Sequence, residues 1–241
     1  MITNLIKKFL ALLGYEVRRK RSRLISLNDG HEIYQYIGPD GQFDYDQYKR
    51  IQTYGNKRKV DEIWVSEEHV SFLSNYIQSV IEQPKFGICH GTRNGAEQRW
   101  FRQYLNCDVI GTEISDNAEE FSDTIQWDFH ETKPEWISAV DFIYSNAFDH
   151  SYDPERCLNS WMSCLRNGGI CIIEHTPSHV HASEIDPFGV HISQLPYLIL
   201  SWGKGRYYVR EILDAPTPAY ELDPAYELEY RKFLIIESVG S

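Results

Sequence analysis

The residue types most able to do chemistry in this chain are two spaced glycines, a set of acids that follow short apolar runs, and several histidines. Gly91 and Gly95 interrupt the stretch Lys85-Phe-Gly-Ile-Cys-His-Gly-Thr-Arg-Asn-Gly-Ala-Glu97. Such a turn leaves backbone N–H groups and the positive end of a following helix beside an open crevice, which suits a nucleotide-like ligand. Glycine is needed there because a Cβ would block the turn or the ligand's approach. Glu113 follows about twenty residues past the turn, a spacing at which an acid on the neighbouring parallel strand can accept from both hydroxyls of a ribose. The competing reading is a solvated strand end. Asp128, with Phe129 beside it, could accept from an exocyclic amine such as that of adenine, or cap a helix. His150 can take a proton from a hydroxyl near neutral pH, and equally reads as a residue that only lines a pocket. His175 opens a second group with Glu174, His179, His181, Asp186 and His191. His179-x-His181 offers two nitrogens, but no Cys or HExxH-type pattern accompanies it. Polar residues of an acceptor-binding loop are the preferred reading, and no metal is expected.

These residues need a scaffold that gathers strand ends. Residues 86–89 form a short apolar run read as a buried strand, and 108–114, 124–129, 140–146 and 170–174 repeat the pattern. Between them, 96–104 and 155–166 carry apolar residues at helical spacing, the second behind Pro154 and closed by Asn167-Gly168-Gly169. A helix is also predicted over 66–83, with Glu67 and Glu68 in its first turn and Pro84 ending it. Strands alternating with helices predict an open, mostly parallel α/β sheet. Residues 192–202 read as a helix, and 207–213 and 231–237 as strands joined by a Pro-rich, acidic connection. Residues 28–60 are polar and aromatic, with a turn at Gly38-Pro39-Asp40-Gly41. Phe43, Tyr45, Tyr48, Tyr54 and Lys57-Arg58-Lys59 fit an irregular wrapping over the core better than a substrate entrance. The expected division is an N-terminal amphipathic helix and extension over 1–60 and one domain over 61–241.

At 241 residues, 42% of them hydrophobic, the chain is long enough to bury a proper core. Its net charge of −11 argues against a general nucleic-acid binder. The charge is uneven: residues 1–23 hold seven basic residues against Glu16, a net of +6, which leaves −17 for the rest. Ile2, Leu5, Ile6, Phe9, Leu10 and Leu13 share one helical face ahead of the basic block. That pattern fits a peripheral anchor on anionic lipid over residues 2–23, and fits equally a helix packed on the domain or a partner. Five cysteines cannot all pair, none lies in a Cys-x-x-Cys, and several sit in apolar runs. A reduced, cytoplasmic compartment is the simplest expectation, extended by the anchor to the inner face of a membrane. No run approaches the ~20 apolar residues of a spanning helix.

From about residue 83 onward the sequence resembles the class I S-adenosylmethionine-dependent methyltransferases. Cys89-His-Gly-Thr-Arg-Asn-Gly95 stands at the family's Asp/Glu-x-Gly-x-Gly-x-Gly loop, and Gly111-Thr-Glu-Ile-Ser115 at its Gly-x-Asp/Glu-hydrophobic-Ser. Asp128-Phe129 stands at the adenine position, and residues 141–169 match its strand, His, Asp-Pro-Glu, helix, Gly-Gly pattern. The resemblance implies a Rossmann-like, three-layer α/β/α fold with a seven-stranded, mostly parallel sheet and one antiparallel strand. It implies S-adenosyl-L-methionine as cofactor, held by Cys89, Gly91, Thr92, Arg93, Gly95, Glu113, Ile114, Asp128, Phe129 and Asn146. Two positions depart from the pattern: Cys89 replaces the acid, and Arg93 the middle glycine. Arg93 could instead pair with the methionine carboxylate.

The expected activity is methyl transfer, O-methylation foremost, to a small molecule or a glycan or lipid-linked sugar, with His150 and His175 as the catalytic histidines. A non-catalytic binding module of the same fold is the main alternative, prompted by Cys89 and Arg93. A nicotinamide-dependent oxidoreductase is a further one, although Gly91-x-Arg93-x-x-Ala96 lacks two of the three fingerprint glycines.

Overall fold

The computed structural model describes residues 25–216 and 231–239. The amphipathic residues 2–23 lie outside the described residues. The main sheet is built from β3 (Phe86–His90), β4 (Asp108–Glu113), β5 (Thr124–Gln126), β6 (Val140–Ser145), β7 (Leu165–His175), β9 (Tyr207–Asp214) and β10 (Lys232–Ser238). Their order is β5-β4-β3-β6-β7-β10-β9. Strands β3 to β7 pair in parallel, and β10 runs antiparallel to both β7 and β9. The expected seven-stranded sheet with one antiparallel strand is borne out.

The layers follow from alternation along the strands. Ile143, Cys171, Ile173, Leu234 and Ile236 face one side; their chain neighbours Phe142, Tyr144, Ile170, Ile172, Phe233 and Ile235 face the other. Both faces are apolar because both are covered. On the second face lie α2 (Glu67–Val80) and α3 (Ala96–Leu105), which bury Val70, Leu73, Ile77, Phe101 and Leu105. On the first lie α4 (Pro154–Cys164) and α5 (Leu195–Gly203), which bury Leu158, Trp161, Leu198 and Ile199. Each fully buried aliphatic side chain contributes ~1.5–3 kcal/mol, so helix placement is set by these stripes rather than by helix propensity.

Helix α4 stops two residues short of its predicted end, and Asn167-Gly168-Gly169 falls inside β7 rather than at the helix end. Its last carbonyls, on Ser163 and Cys164, accept from the N–H groups of Ser138 and Ala139. With those acceptors satisfied, the chain turns straight into β7.

Residues 28–60 are not an irregular wrapping. β1 (Ile25–Asn28) and β2 (His31–Tyr34) form a hairpin, and β2 also pairs with β8 (Phe188–Val190) in a small antiparallel sheet. Then comes α1 (Tyr45–Arg58), capped by Asp44, whose side chain accepts from the Gln47 N–H. Its buried residues are Tyr48, Gln52 and Asn56, four apart. That stripe is mostly polar, so no apolar period announces the helix.

Candidate functional site

The carboxyl ends of β3, β4, β6 and β7 open into a hollow of about 460 Å³, roofed by α1 and residues 59–64. Gly91, Thr92, Arg93, Glu113, Ile114, Asp128, Phe129, Asn146 and His150 all line it. The strand order sets Glu113 toward one end and Asn146, His150 and Glu174 toward the other.

The turn after β3 is held on β4: the N–H groups of Gly91 and Thr92 both donate to the Thr112 carbonyl, at 2.8 and 3.2 Å. Gly91 has φ +74°, and a Cβ there would stand 2.6 Å from the Ala147 Cβ. This turn therefore requires glycine both for its backbone and for its closeness to the loop after β6. Arg93, at the position of the family's middle glycine, has a left-handed backbone at φ +46°. Its guanidinium donates to the Glu62 carbonyl, and Asn94 donates to Val60, so the loop is clasped to the roof.

Glu113 points back at this turn. One carboxylate oxygen accepts from the Arg93 N–H at 3.1 Å and the other from the Ser115 N–H at 3.1 Å. The two bonds fix the plane of the carboxylate while further lone pairs face the hollow. Burial raises its pKa, against the two backbone bonds and Arg93. Asp128 is held on both oxygens: Oδ1 accepts from His130 and Oδ2 from Tyr45 at 2.8 Å. Burial pushes its pKa up, but these bonds outweigh it and the net displacement is downward.

Three expected residues are not among those lining the hollow. Cys89 is fully buried on the α2–α3 side of the sheet, its thiol pushed up by burial. Gly95 starts α3 at φ +76° and shapes the turn from behind. His175 turns to β8, its Nε2 donating to the Val190 carbonyl at 3.0 Å, and burial lowers its pKa to about 4. Of the group around it, Glu174, His179 and Asp186 face the hollow, whereas His191 bonds Ser193 on the surface.

Several lining residues carried no motif. Glu97, in the first turn of α3, is 6% exposed and pushed up to about 8 by burial, with Glu174 nearby adding to the rise. Asp149 is raised to about 7, again mainly by burial. Arg231 and Tyr144 both hold the buried Glu174 carboxylate. Gln52 of α1 accepts from His150 Nδ1 at 2.8 Å and donates to the Ile185 carbonyl at 2.8 Å. The signal for α1 was present as Asp44 followed by Tyr48, Gln52 and Asn56, a capped stripe of polar rather than apolar residues.

Buried polar atoms without a protein partner among the described residues gather on this wall: Asn56 Oδ1, Thr92 Oγ1, Glu97 Oε2, Asp149 Oδ1 and Arg231 Nε. Buried polar groups are normally satisfied by protein or water, so this set suits a polar ligand. Acceptors at Glu113 and Glu97, an aromatic at Phe129 and a cation at Arg93 fit a nucleoside that carries an amino acid.

Residues 88–173 match a family model described as a methyltransferase domain. No curated protein matches by sequence. Among solved structures, the chain is similar to the 1,6-didemethyltoxoflavin-N1-methyltransferase of Burkholderia thailandensis, at 12% identity and TM-score 0.60, over 89% of this chain and 98% of that one. The plantazolicin methyltransferase BpumL matches at 15% identity and TM-score 0.57, over 80% and 96%. The geranyl diphosphate C-methyltransferase of Streptomyces coelicolor A3(2) matches at 13% and 0.53, over 70% and 79%. At such identities these likenesses speak for the fold. The resemblance to the class I S-adenosylmethionine-dependent methyltransferases is borne out in the fold, and residues 88–173 match the methyltransferase-domain model. No helix among the described residues is long and apolar enough to cross a membrane.

Proposed function

We propose that the chain transfers a methyl group from S-adenosylmethionine to a hydroxyl of a small-molecule, sugar or lipid-linked glycan acceptor. The observation that carries this is Glu113, fixed by two backbone N–H groups at the mouth of the Gly91 turn inside an open hollow. The 1,6-didemethyltoxoflavin-N1-methyltransferase and plantazolicin methyltransferase structures both hold S-adenosylhomocysteine, which supports the choice of cofactor.

Glu113 accepts from the ribose hydroxyls, and Asp128 with Phe129 meets the adenine. Glu97 supplies to the methionine ammonium the carboxylate that Cys89 lacks, and Arg93 meets the methionine carboxylate. When bound, the cofactor supplies an electrophilic methyl on a sulfonium. The protein's part is to hold the acceptor oxygen in line with that methyl. The O–C bond forms as the S–C bond breaks, and its electron pair stays on sulfur. The hydroxyl proton goes to His150 Nε2, the nitrogen left free because Nδ1 donates to Gln52. His175 acts from behind, setting β8 through its bond to Val190. Tyr48, Trp64 and Ile63 on the wall and rim give an aromatic and apolar border suited to a sugar ring. The basic face of residues 2–23 would carry the enzyme to an anionic membrane surface where such acceptors reside.

Calorimetric titration with S-adenosylmethionine and S-adenosylhomocysteine tests the cofactor. Mass spectrometry for a one-methyl gain across hydroxylated acceptors tests the reaction. No heat with either nucleoside removes the proposal. Binding without turnover on a broad panel favours a non-catalytic module of the same fold.

A further inference from the structure

At the end of the hollow away from Glu113, donor atoms from two loops converge. Asp149 and His150 come from the turn after β6, Asp186 from the loop before β8, and one ligand-type atom from each lies within 4.8 Å of the others. His150 Nε2 stands 3.7 Å from Asp186 Oδ1, too long for a hydrogen bond. Two donors on one cation, each ~2.1 Å from it, are separated by about 3.0 Å in octahedral and about 3.4 Å in tetrahedral geometry, so the pair needs to close by a few tenths of an ångström to share an ion.

Two separate observations point to a ligand there. Because the Gln52 amide donates to Ile185, its oxygen is the end that meets His150, so Nδ1 carries the hydrogen. Nε2 therefore turns a lone pair on the carboxylates, and an imidazole braced at its other nitrogen is how metal-binding histidines are held. Independently, Asp149 is 7% exposed, lies on the wall of the hollow, and has an Oδ1 with no protein partner among the described residues. Its Oδ2 is 3.5 Å from His179 Nε2. A lone pair facing two carboxyl groups is unfavourable unless a proton or a cation lies between them. A proton on Nε2 reaches Asp186 only at a non-bonding distance and leaves the buried Asp149 oxygen unmatched.

We infer that Asp149, His150 and Asp186 bind one divalent cation of the Mn2+ or Zn2+ kind, with its remaining coordination positions open to the hollow. A mixed donor set of one imidazole nitrogen and two carboxyl groups suits such an ion. The pair His179-x-His181 is not this site, since His181 lies on the surface near Glu32. The cation's use rests on the transferase reading: an acceptor hydroxyl on an open position loses its proton more readily, and the ion then takes over what the His150 imidazole does alone.

The test titrates Mn2+ into the chelator-treated full chain, reads the free-ion electron paramagnetic resonance signal, and uses Zn2+ and Mg2+ as competitors. One Mn2+ is expected per chain, with affinity reduced about tenfold or more in Asp186→Asn and in His150→Gln. The Asp186 side chain is 43% exposed, so that variant should fold, which circular dichroism checks. No uptake of any of the three ions, or uptake that both variants leave unchanged, overturns the site. S-adenosylhomocysteine calorimetry on the same preparations reads the other end of the hollow. Loss of that signal alone sinks the transferase reading and leaves the cation site standing.

Discussion

Replacing Glu97 by Gln should make the protein's stability less dependent on pH. In the folded chain the Glu97 carboxyl is buried and pushed up to about 8 from an ordinary value of 4.5. Below pH 4.5 it is protonated whether folded or not and contributes no pH dependence. As pH rises from 4.5 toward 8 the unfolded chain releases the proton while the folded chain keeps it, so stability falls through that window. At ~1.4 kcal/mol per unit of pKa difference, the loss between pH 5 and pH 8 is roughly 3 kcal/mol. Above pH 8 the folded group ionises as well, and the loss levels off. Urea denaturation of both proteins at pH 5, 6.5 and 8 should show the parent losing stability by about that much relative to Glu97→Gln. The amide can leave its own buried hydrogen bond unmet, but that offset is the same at every pH and does not enter the difference. Parallel pH profiles would refute the burial reasoning. Saturating S-adenosylhomocysteine should flatten the parent's profile, because an ammonium beside the carboxylate favours its ionised form. A profile that the nucleoside leaves unchanged would refute the pairing of Glu97 with the methionine amine.

Glu113→Gln keeps the shape but turns a charged acceptor into a neutral amide. With charge-assisted bonds contributing ~1.5–3 kcal/mol, S-adenosylhomocysteine affinity should fall about 10- to 100-fold by calorimetry. Gly91→Ala forces an L side chain into a backbone at φ +74° and a Cβ 2.6 Å from that of Ala147. It should lower stability by ~1–3 kcal/mol in thermal melts and abolish nucleoside binding, because the loop after β6 must move. His150→Gln should leave S-adenosylhomocysteine affinity unchanged and lower the turnover of a methylated acceptor by about 100-fold or more. An equal loss in both measurements would mean that His150 holds the nucleoside instead.

How much of this could be read from the sequence depended on how local the signal was and on whether it was apolar. The nucleoside end is local. Gly91 and Gly95 stand at the end of one apolar run and Glu113 at the end of the next, so the strand ends and their spacing were legible together. The departure at Arg93 was visible too, although only the structure shows that this arginine takes a left-handed backbone. Cys89 was expected in the site because it occupies the acid's position in the loop. Strand alternation puts its side chain on the covered face instead, and Glu97 at the start of the next helix brings a carboxylate to the same wall.

The acceptor end is neither local nor apolar. Helix α1 hides because its inward face is Tyr48, Gln52 and Asn56, and a face turned to a polar hollow has no hydrophobic period to detect. Gln52 reaches His150 and Ile185 across more than ninety residues of chain, and β2 pairs with β8 over a wider gap still. No spacing rule in the sequence reports such contacts. The two ends are therefore under different constraints. The Gly91–Glu113 end is tied to sheet geometry and can change only at a cost in stability, because both residues are bonded to the chain's own backbone. Tyr48, Gln52 and Ile185 sit on elements laid over the sheet. Substitutions there should alter which acceptor is taken while the affinity for S-adenosylhomocysteine holds, an outcome that would place acceptor choice in residues 48–56 and 176–186.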